Sequence, residues 1–410
     1  MKNQLKIAYL APEIPALSAT FVYNEILDLE KSGYQVVPLS VHQPHSPAEE
    51  EALEDLGSRT KYLYLMPKSK MLWDNLHLLV RRPVRYLRVL ASAVGDVWRV
   101  GLFNRVGLGL LYRFLVAAGV ARILLDENCT HLHVHFAHIP TDIAMYAAGM
   151  SAVPFSFTAH ANDLFERGWL LEKKVRRAKF AVTISEYNRQ FLIEKGGPGD
   201  KIHVVRCGVD HEAFAAGNAR PSNSIPKIGT LGRMVEKKGI DDLIRACQML
   251  KDRNIGFNLE IAGDGPMQSE LQALVNDGDL AEQVHFTGPL AHEQVPRWLQ
   301  SLDMFVLACK KDRNGDMDGI PVVLMEAMLA GVPVISCRIS GIPELIEDGQ
   351  SGLLAEPGNP AELARVIDRL LSDDNLHNDF RTNAMAKVQA EFELSKNVAV
   401  LDKLFREVIR

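Results

Sequence analysis

Apolar residues come in short dense runs along this chain, at 5–10, 35–40, 131–135, 154–158, 180–184 and 202–205 in the first half. Further runs follow at 227–231, 257–262, 283–287, 303–307, 332–336 and 352–355. Most are nearly continuous in apolar side chains rather than alternating, the pattern of parallel strands buried on both faces. Between them apolar positions recur at helical spacing. Alternation of this kind predicts doubly wound α/β sheets, and two sets of runs predict two of them.

Residues 211–226 carry Ala, Gly, Asn, Ser and Pro with no periodic apolar face, and read as a linker. The expected organisation is an N-terminal domain over 1–213, a C-terminal domain over 224–385 and a closing helical segment over 386–410. One region, about 68–122, breaks the α/β rhythm and reads as a basic helical insertion. From Arg81 to Arg122 it holds eight arginines and one acid, Asp96, a local charge of +7. Val84, Leu87, Ala91, Val94 and Trp98 fall on one helical face there. One reading packs that face on the first domain with the arginines reaching solvent. The other makes a basic amphipathic surface that docks on anionic lipid.

Composition narrows the classes. The 410 residues are 47% hydrophobic and 24% charged, which suits a soluble globular protein and excludes a disordered or rod-like one. Forty-six basic against 51 acidic side chains leave a net charge of −5, which argues against a general nucleic-acid partner. Five cysteines, with no CxxC pair, predict buried reduced thiols rather than a disulfide framework or a zinc site. The N-terminus runs straight into a strand without a signal-peptide pattern. The most apolar stretch, 106–121, is interrupted by Arg113 and is short for a bilayer span. A cytoplasmic protein, peripheral on the inner face of the membrane, is the expectation.

Ligands of open α/β sheets bind at the carboxyl ends of the strands, so the residues just after each run matter most. After 227–231 comes Gly232-Arg233-Met234-Val235-Glu236-Lys237-Lys238-Gly239, leading into a helix. Two cations in a strand-to-helix loop suit a diphosphate. Gly263-Asp264-Gly265-Pro266 and Gly288-Pro289-Leu290 follow the next two runs and are unspecific alone. The strongest signal is Asp318-Gly319-Ile320-Pro321-Val322, with Glu326 eight positions after Asp318. That spacing puts one carboxylate in a loop and another along the following helix, with amides between them, as a polyhydroxylated phosphate ester requires. Asn314, Asp316, Asp318 and Gly319 imitate the start of a calcium loop, but its twelfth position is Met325 rather than an acid. In the first half His133 and His135 end one run, and His160 ends the next, before Asn162 and Asp163. The two histidines at i and i+2 have no third metal ligand at suitable spacing, so no metal is expected.

Taken together and in order, these motifs resemble the retaining family-4 glycosyltransferases. The acid–x7–Glu pair at Asp318 and Glu326 is similar to that family's E-x7-E signature. Gly232-Arg233 through Lys238-Gly239 resembles its phosphate loop, and His133-Val134-His135-Phe136-Ala137, Thr158-Ala159-His160, Gly263-Asp264-Gly265-Pro266 and Gly341-Ile342-Pro343-Glu344 also match. The nearest flavour is that of bacterial exopolysaccharide and colanic-acid enzymes, which share the segment Leu17-Ser18-Ala19-Thr20-Phe21. Three positions depart from the pattern. Asp318 is one methylene shorter than the usual Glu, Cys207 replaces an Asn, and Pro15-Ala16-Leu17-Ser18-Ala19-Thr20 replaces a glycine-rich loop.

The resemblance implies a GT-B fold, two Rossmann-like domains facing across a cleft, with the C-terminal helix returning to the first. It implies hexosyl transfer from a UDP- or GDP-linked sugar to an acceptor hydroxyl with retention, without a metal or other cofactor. Arg233 and Lys238 would hold the diphosphate, Glu326 the ribose and Asp318 the transferred sugar, with His160 beside it. Gly232, Gly263, Gly288, Gly319, Ile320, Pro321 and Val322 would complete the donor site. Ser18, Ala19, Thr20, Phe21, His135 and Asp163 would face the acceptor or a phosphate; the acceptor would be a glycan or lipid-linked oligosaccharide, with an anionic membrane surface as a further partner. Two other readings stay open at this level: a nucleotide-sugar epimerase on the same scaffold, and a catalytically silent glycan- or membrane-binding protein.

Overall fold

The computed structural model describes residues 5–16, 20–44, 51–209, 214 and 223–409. These form two compact units, one from the residues up to Val205 together with those from Val398 onward, the other from Arg206–Asn397. Most of the linker at 211–226 lies outside the described residues.

The first unit is built on a wholly parallel sheet of seven strands. They are β1 (Lys6–Glu13), β2 (Gln35–His42), β3 (Lys61–Tyr62), β4 (His131–His135), β5 (Phe155–Ala159), β6 (Ala181–Thr183) and β7 (Ile202–Val204), in the order β3-β2-β1-β4-β5-β6-β7. The second unit has six, also parallel: β8 (Lys227–Leu231), β9 (Asn258–Ala262), β10 (Val284–Gly288), β11 (Met304–Val306), β12 (Val334–Cys337) and β13 (Leu353–Ala355), ordered β10-β9-β8-β11-β12-β13. Every expected run became a strand. The extra one, β3, is two residues at a sheet edge, with no apolar run to announce it.

The closing segment is not one helix. Asp374–Glu391 and Leu394–Ile409 are separate helices, broken at Phe392 and Glu393. The second of them brings Phe405 against His131, His133 and Phe180 in the first unit, and Asp402 accepts from the Tyr34 hydroxyl at 2.6 Å.

Five helices of the first unit matter below: α1 (Thr20–Lys31), α2 (Lys68–Arg81), α3 (Pro83–Val100), α4 (Arg105–Asp126) and α5 (Ile139–Ser151). Pro83 starts α3 and Gly101, at φ 103°, ends it. The Asn104 side chain accepts from the Gly107 N–H at 2.7 Å and caps α4. At 22 residues α4 is long and apolar enough to cross a membrane by length and composition, but 56% of its most apolar window is buried in the unit.

The packing of α3 reverses the first of the two expected arrangements. Its buried face is Tyr86, Val89, Ala93, Asp96 and Val97. The stripe Val84, Leu87, Val94 and Trp98 is exposed instead. Both stripes have helical spacing, and burial selects the one that carries Asp96. That carboxylate is fully buried and accepts from Lys173, from Arg177 at 2.6 and 3.0 Å, and from the Tyr146 hydroxyl at 3.1 Å. Nor do all the arginines reach solvent. Arg113 is buried and pairs at 2.9 Å with Asp142 on α5, which also binds Lys174 at 2.9 Å and accepts from the Trp169 indole.

Removing one member of a buried ion pair leaves its partners' charge uncompensated. Asp96→Ala is therefore expected to lower the unfolding free energy by about 3 kcal/mol, measured by urea denaturation, while Trp98→Ala leaves it nearly unchanged because that residue is 70% exposed.

Candidate functional site

The second unit gathers its chemistry at the carboxyl ends of β8, β9 and β11. Gly263 has φ 112°, and a Cβ there would sit 2.2 Å from the Gly232 carbonyl oxygen. A Cβ on Gly265 would meet the Met234 backbone at 2.6 Å, and one on Gly239 would meet the Ala308 carbonyl at 1.8 Å. These glycines let three loops touch through their backbones. The loops are then tied: Met234 N–H donates to Asp264 O at 2.6 Å and Gly263 N–H to Gly288 O at 2.8 Å.

Within this frame Lys238 Nζ lies 2.7 Å from Asp318 Oδ2, and Lys237 Nζ lies 3.3 Å from Asp318 Oδ1 and 2.8 Å from Asp316. The Cys309 thiol donates to Asp318 at 3.6 Å. Burial disfavours both Lys238 and Asp318 in their charged forms, but each offsets that cost for the other. The lysine is raised and the aspartate lowered from their ordinary values. Burial, with Asp318 next to it, pushes the Cys309 thiol well up, so it stays protonated. The Arg233 side chain is exposed and has no hydrogen-bond or ion-pair partner among the described residues. Gly319, Ile320 and Pro321 are buried and lead into α6 (Val322–Leu329), whose first turn no side chain caps. The amides at the start of α6 are thus open to an anion. Glu326 lies one turn further along. Burial pushes its carboxyl up to about 7, and it has no hydrogen-bond or ion-pair partner among the described residues.

The first unit holds a second cluster at the ends of β4 and β5. His135 Nδ1 is 3.1 Å from His160 Nε2, and His135 Nε2 is 3.0 Å from Glu25 Oε1. The Tyr9 hydroxyl donates to that same Glu25 oxygen. Assigning the protons along this chain makes His135 Nε2 a donor to Glu25 and His160 Nε2 a donor to His135, leaving Nδ1 as the acceptor nitrogen of His160. Burial, reinforced by His135, holds His160 well below the usual imidazole range, so its ring is neutral. Phe21 and Phe136 each place a ring 4.6 Å from it. Phe136 has φ 72°, a left-handed conformation unusual for an aromatic residue, and its N–H and C=O are held by Thr158 and Thr141.

Asp163 differs from expectation. Its buried carboxylate accepts from the backbone N–H groups of Ala137, His160 and Ala161 at 2.6, 3.1 and 2.9 Å. Fully used by the chain itself, it shapes the loop instead of facing an acceptor. Thr20 opens α1 one residue before Phe21, while Ser18 and Ala19 lie outside the described residues.

Spacing showed neither Glu25 nor Tyr9, because Glu25 is 110 positions from His135 and only the parallel pairing of β1 with β4 brings them together. Glu25 is also the third donor that a His133–His135 metal pair lacked, with ligand atoms within 4.8 Å of one another. Those atoms are already engaged, however: His133 binds Ser156 at 2.8 Å and Thr158 at 3.0 Å. A cation would have to break these bonds, so the donors fit a proton chain better than a metal centre. Lys237 and Asp316 were likewise unsignalled, since nothing in the sequence pairs a loop after β8 with one after β11.

Comparison with known proteins decides the family. The model for glycosyl transferases group 1 matches residues 217–387, and that for Glycosyltransferase Family 4 matches 18–213. The amylovoran biosynthesis glycosyltransferase AmsK of Erwinia amylovora is 30% identical over 95% of this chain and 96% of its own. The chain belongs to the family-4 glycosyltransferases. The putative colanic acid biosynthesis glycosyltransferase WcaL of Salmonella typhimurium is 28% identical over 95% and 96% of the two chains. Among solved structures, Anabaena HepE in complex with UDP superposes with a TM-score of 0.74 at 17% identity, covering 98% of this chain and 100% of the other. The fold is GT-B, and the protein is a nucleotide-sugar-dependent glycosyltransferase of a retaining hexosyltransferase family.

The Glu326 carboxyl sets a pH test. Unfolded, it ionises near 4.5; folded, near about 7. Between those values the folded state holds the extra proton, so stability falls as pH rises. Glu326→Gln removes the effect: relative to the parent, the variant is expected to gain stability as pH rises through that window, read by urea unfolding. A constant difference would show that the carboxyl titrates normally.

Proposed function

We propose that this glycosyltransferase moves a hexose from a UDP- or GDP-linked sugar to a hydroxyl of a glycan or lipid-linked oligosaccharide, in exopolysaccharide assembly on the cytoplasmic side of the membrane. The similarity to AmsK of amylovoran biosynthesis and to the putative colanic acid glycosyltransferase WcaL supports the polysaccharide context. The observation that carries the donor assignment is Glu326, a half-buried carboxyl with no partner among the described residues, behind the open amides of α6. Two ribose hydroxyls would donate to it, and the diphosphate would lie against Arg233, Lys238 and those amides.

In the reaction the bond between the anomeric carbon and the diphosphate oxygen breaks, and its electron pair stays on the diphosphate. Arg233, Lys238 and the α6 amides are preorganised cationic and dipolar groups for that developing charge. The acceptor oxygen forms the new bond on the same face, and its proton passes to a donor phosphate oxygen. Asp318 keeps Lys238 charged while its remaining acceptor capacity serves sugar hydroxyls. In the first unit the neutral His160 is the candidate sugar contact, its tautomer set by His135 and Glu25.

A proton NMR time course with UDP- and GDP-sugars, bacterial lipid extract and EDTA tests this reading. Loss of one donor only with extract, and a new anomeric signal of the same configuration, is expected. Conversion of a donor into an epimer without extract would replace the transferase with an isomerase. Arg233→Ala is expected to slow turnover by about a hundredfold with unchanged folding, and Glu326→Ala to weaken nucleotide binding. Parental rates in both variants would overturn the site assignment.

A further inference from the structure

Eighteen large hydrophobic side chains are exposed among the described residues, and fifteen of them lie between Leu65 and Tyr112. They are arranged by helix. On α2, Leu72, Trp73, Leu76 and Val80 recur at spacings of one turn, and α3 adds the stripe ending in Trp98. Phe103, in the loop between α3 and α4, is 92% exposed and Trp98 is 70% exposed. The three helices pack on one another, so the stripes are neighbours. Scattered surface hydrophobics need no explanation, but a concentration of this size does.

The charges beside these stripes have one sign. Arg81, Arg85, Arg88, Arg99 and Arg105 are exposed, and none has a hydrogen-bond or ion-pair partner among the described residues. Only two acids occur from 68 to 112, Asp74 and Asp96. Both are buried, Asp74 against Lys70 at 2.8 Å and Asp96 against Lys173 and Arg177. The surface therefore shows cations without compensating anions, although the whole chain is acidic at −5.

We propose that the outer face of α2, α3 and the α3–α4 loop docks on an anionic lipid bilayer, with Trp73, Trp98 and Phe103 entering the headgroup–acyl boundary and the five arginines meeting lipid phosphates. Aromatic side chains favour that boundary, and arginine stems lie along apolar surface while the guanidinium stays at the phosphate level. Each basic residue adds attraction to an anionic leaflet. A second copy of the chain is the poorer occupant, because a two-fold contact would set the same arginines against each other. The face lies flat on the bilayer and does not cross it: the apolar core of α4, from Val116 to Ala121, is packed inside the unit.

This inference concerns binding and does not depend on the transferase reading. The full chain is floated with vesicles of phosphatidylcholine alone and with vesicles that also contain phosphatidylglycerol. Flotation with the anionic vesicles only, and release at high salt, is expected. Arg85→Glu with Arg88→Glu, and separately Trp98→Ser with Phe103→Ser, are each expected to weaken partitioning by about tenfold or more. Circular dichroism melting should leave both variants as stable as the parent, since these side chains are exposed. Equal indifference to both vesicles would overturn the proposal. So would a dimer, seen by light scattering, that the Trp98 and Phe103 changes dissociate without any effect on flotation.

Discussion

The ion pair between Lys238 and Asp318 is the constraint on which the second unit's site depends. Burying a lysine and an aspartate separately would cost several kcal/mol each, so neither loop can leave the other without exposing an uncompensated charge. Their 2.7 Å contact fixes the loop after β8 to the loop after β11. Lys237 and Cys309 take two further acceptor positions of Asp318. The close backbone approach at Gly263, Gly265 and Gly239 makes that contact reachable. What is left unsatisfied is informative for the same reason. Arg233 and Glu326 have no side-chain partner among the described residues; the first is exposed, and burial pushes the carboxyl of the second up to about 7.

The first unit uses a different device. Its site is a line of hydrogen-bonded groups, Tyr9, Glu25, His135 and His160, in which each donor has one acceptor. Burial makes a charged imidazole expensive, so the line conveys orientation and tautomer rather than charge. Asp163 and Asn188 hold the His160 backbone from behind, through its N–H and its carbonyl. Precise placement of one acceptor nitrogen is the result. Beneath it, the Arg113–Asp142–Lys174 network stabilises the loop after β4, since the Lys174 ammonium also donates to the Ala137 carbonyl.

The helical insertion links stability to surface chemistry. Asp96 is drawn inside by Lys173 and Arg177, and this turns α3 so that Val84, Leu87, Val94 and Trp98 point outward. The same burial removes the negative charge from the surface, which leaves the arginines uncompensated. One buried carboxylate thus accounts for both the apolar and the cationic character of the face.

Much of this protein was legible in its sequence. The dense apolar runs specified parallel strands because burial on both faces leaves no room for polar alternation, and the order of runs and helices specified two doubly wound sheets. The candidate residues after β8, β9 and β11 were legible as contiguous stretches, because each falls in a strand-to-helix loop that closes locally. Other features could not be read there. Strand β3 is too short for a pattern, and Glu25 reaches His135 only through the pairing of β1 with β4. Asp163 looked like a site residue until its carboxylate was seen to be filled by the backbone. On α3, periodicity gave two apolar stripes of equal standing. Local pattern fixes which residues share a face, but which face is buried depends on partners distant in the chain, and only the tertiary structure supplies those.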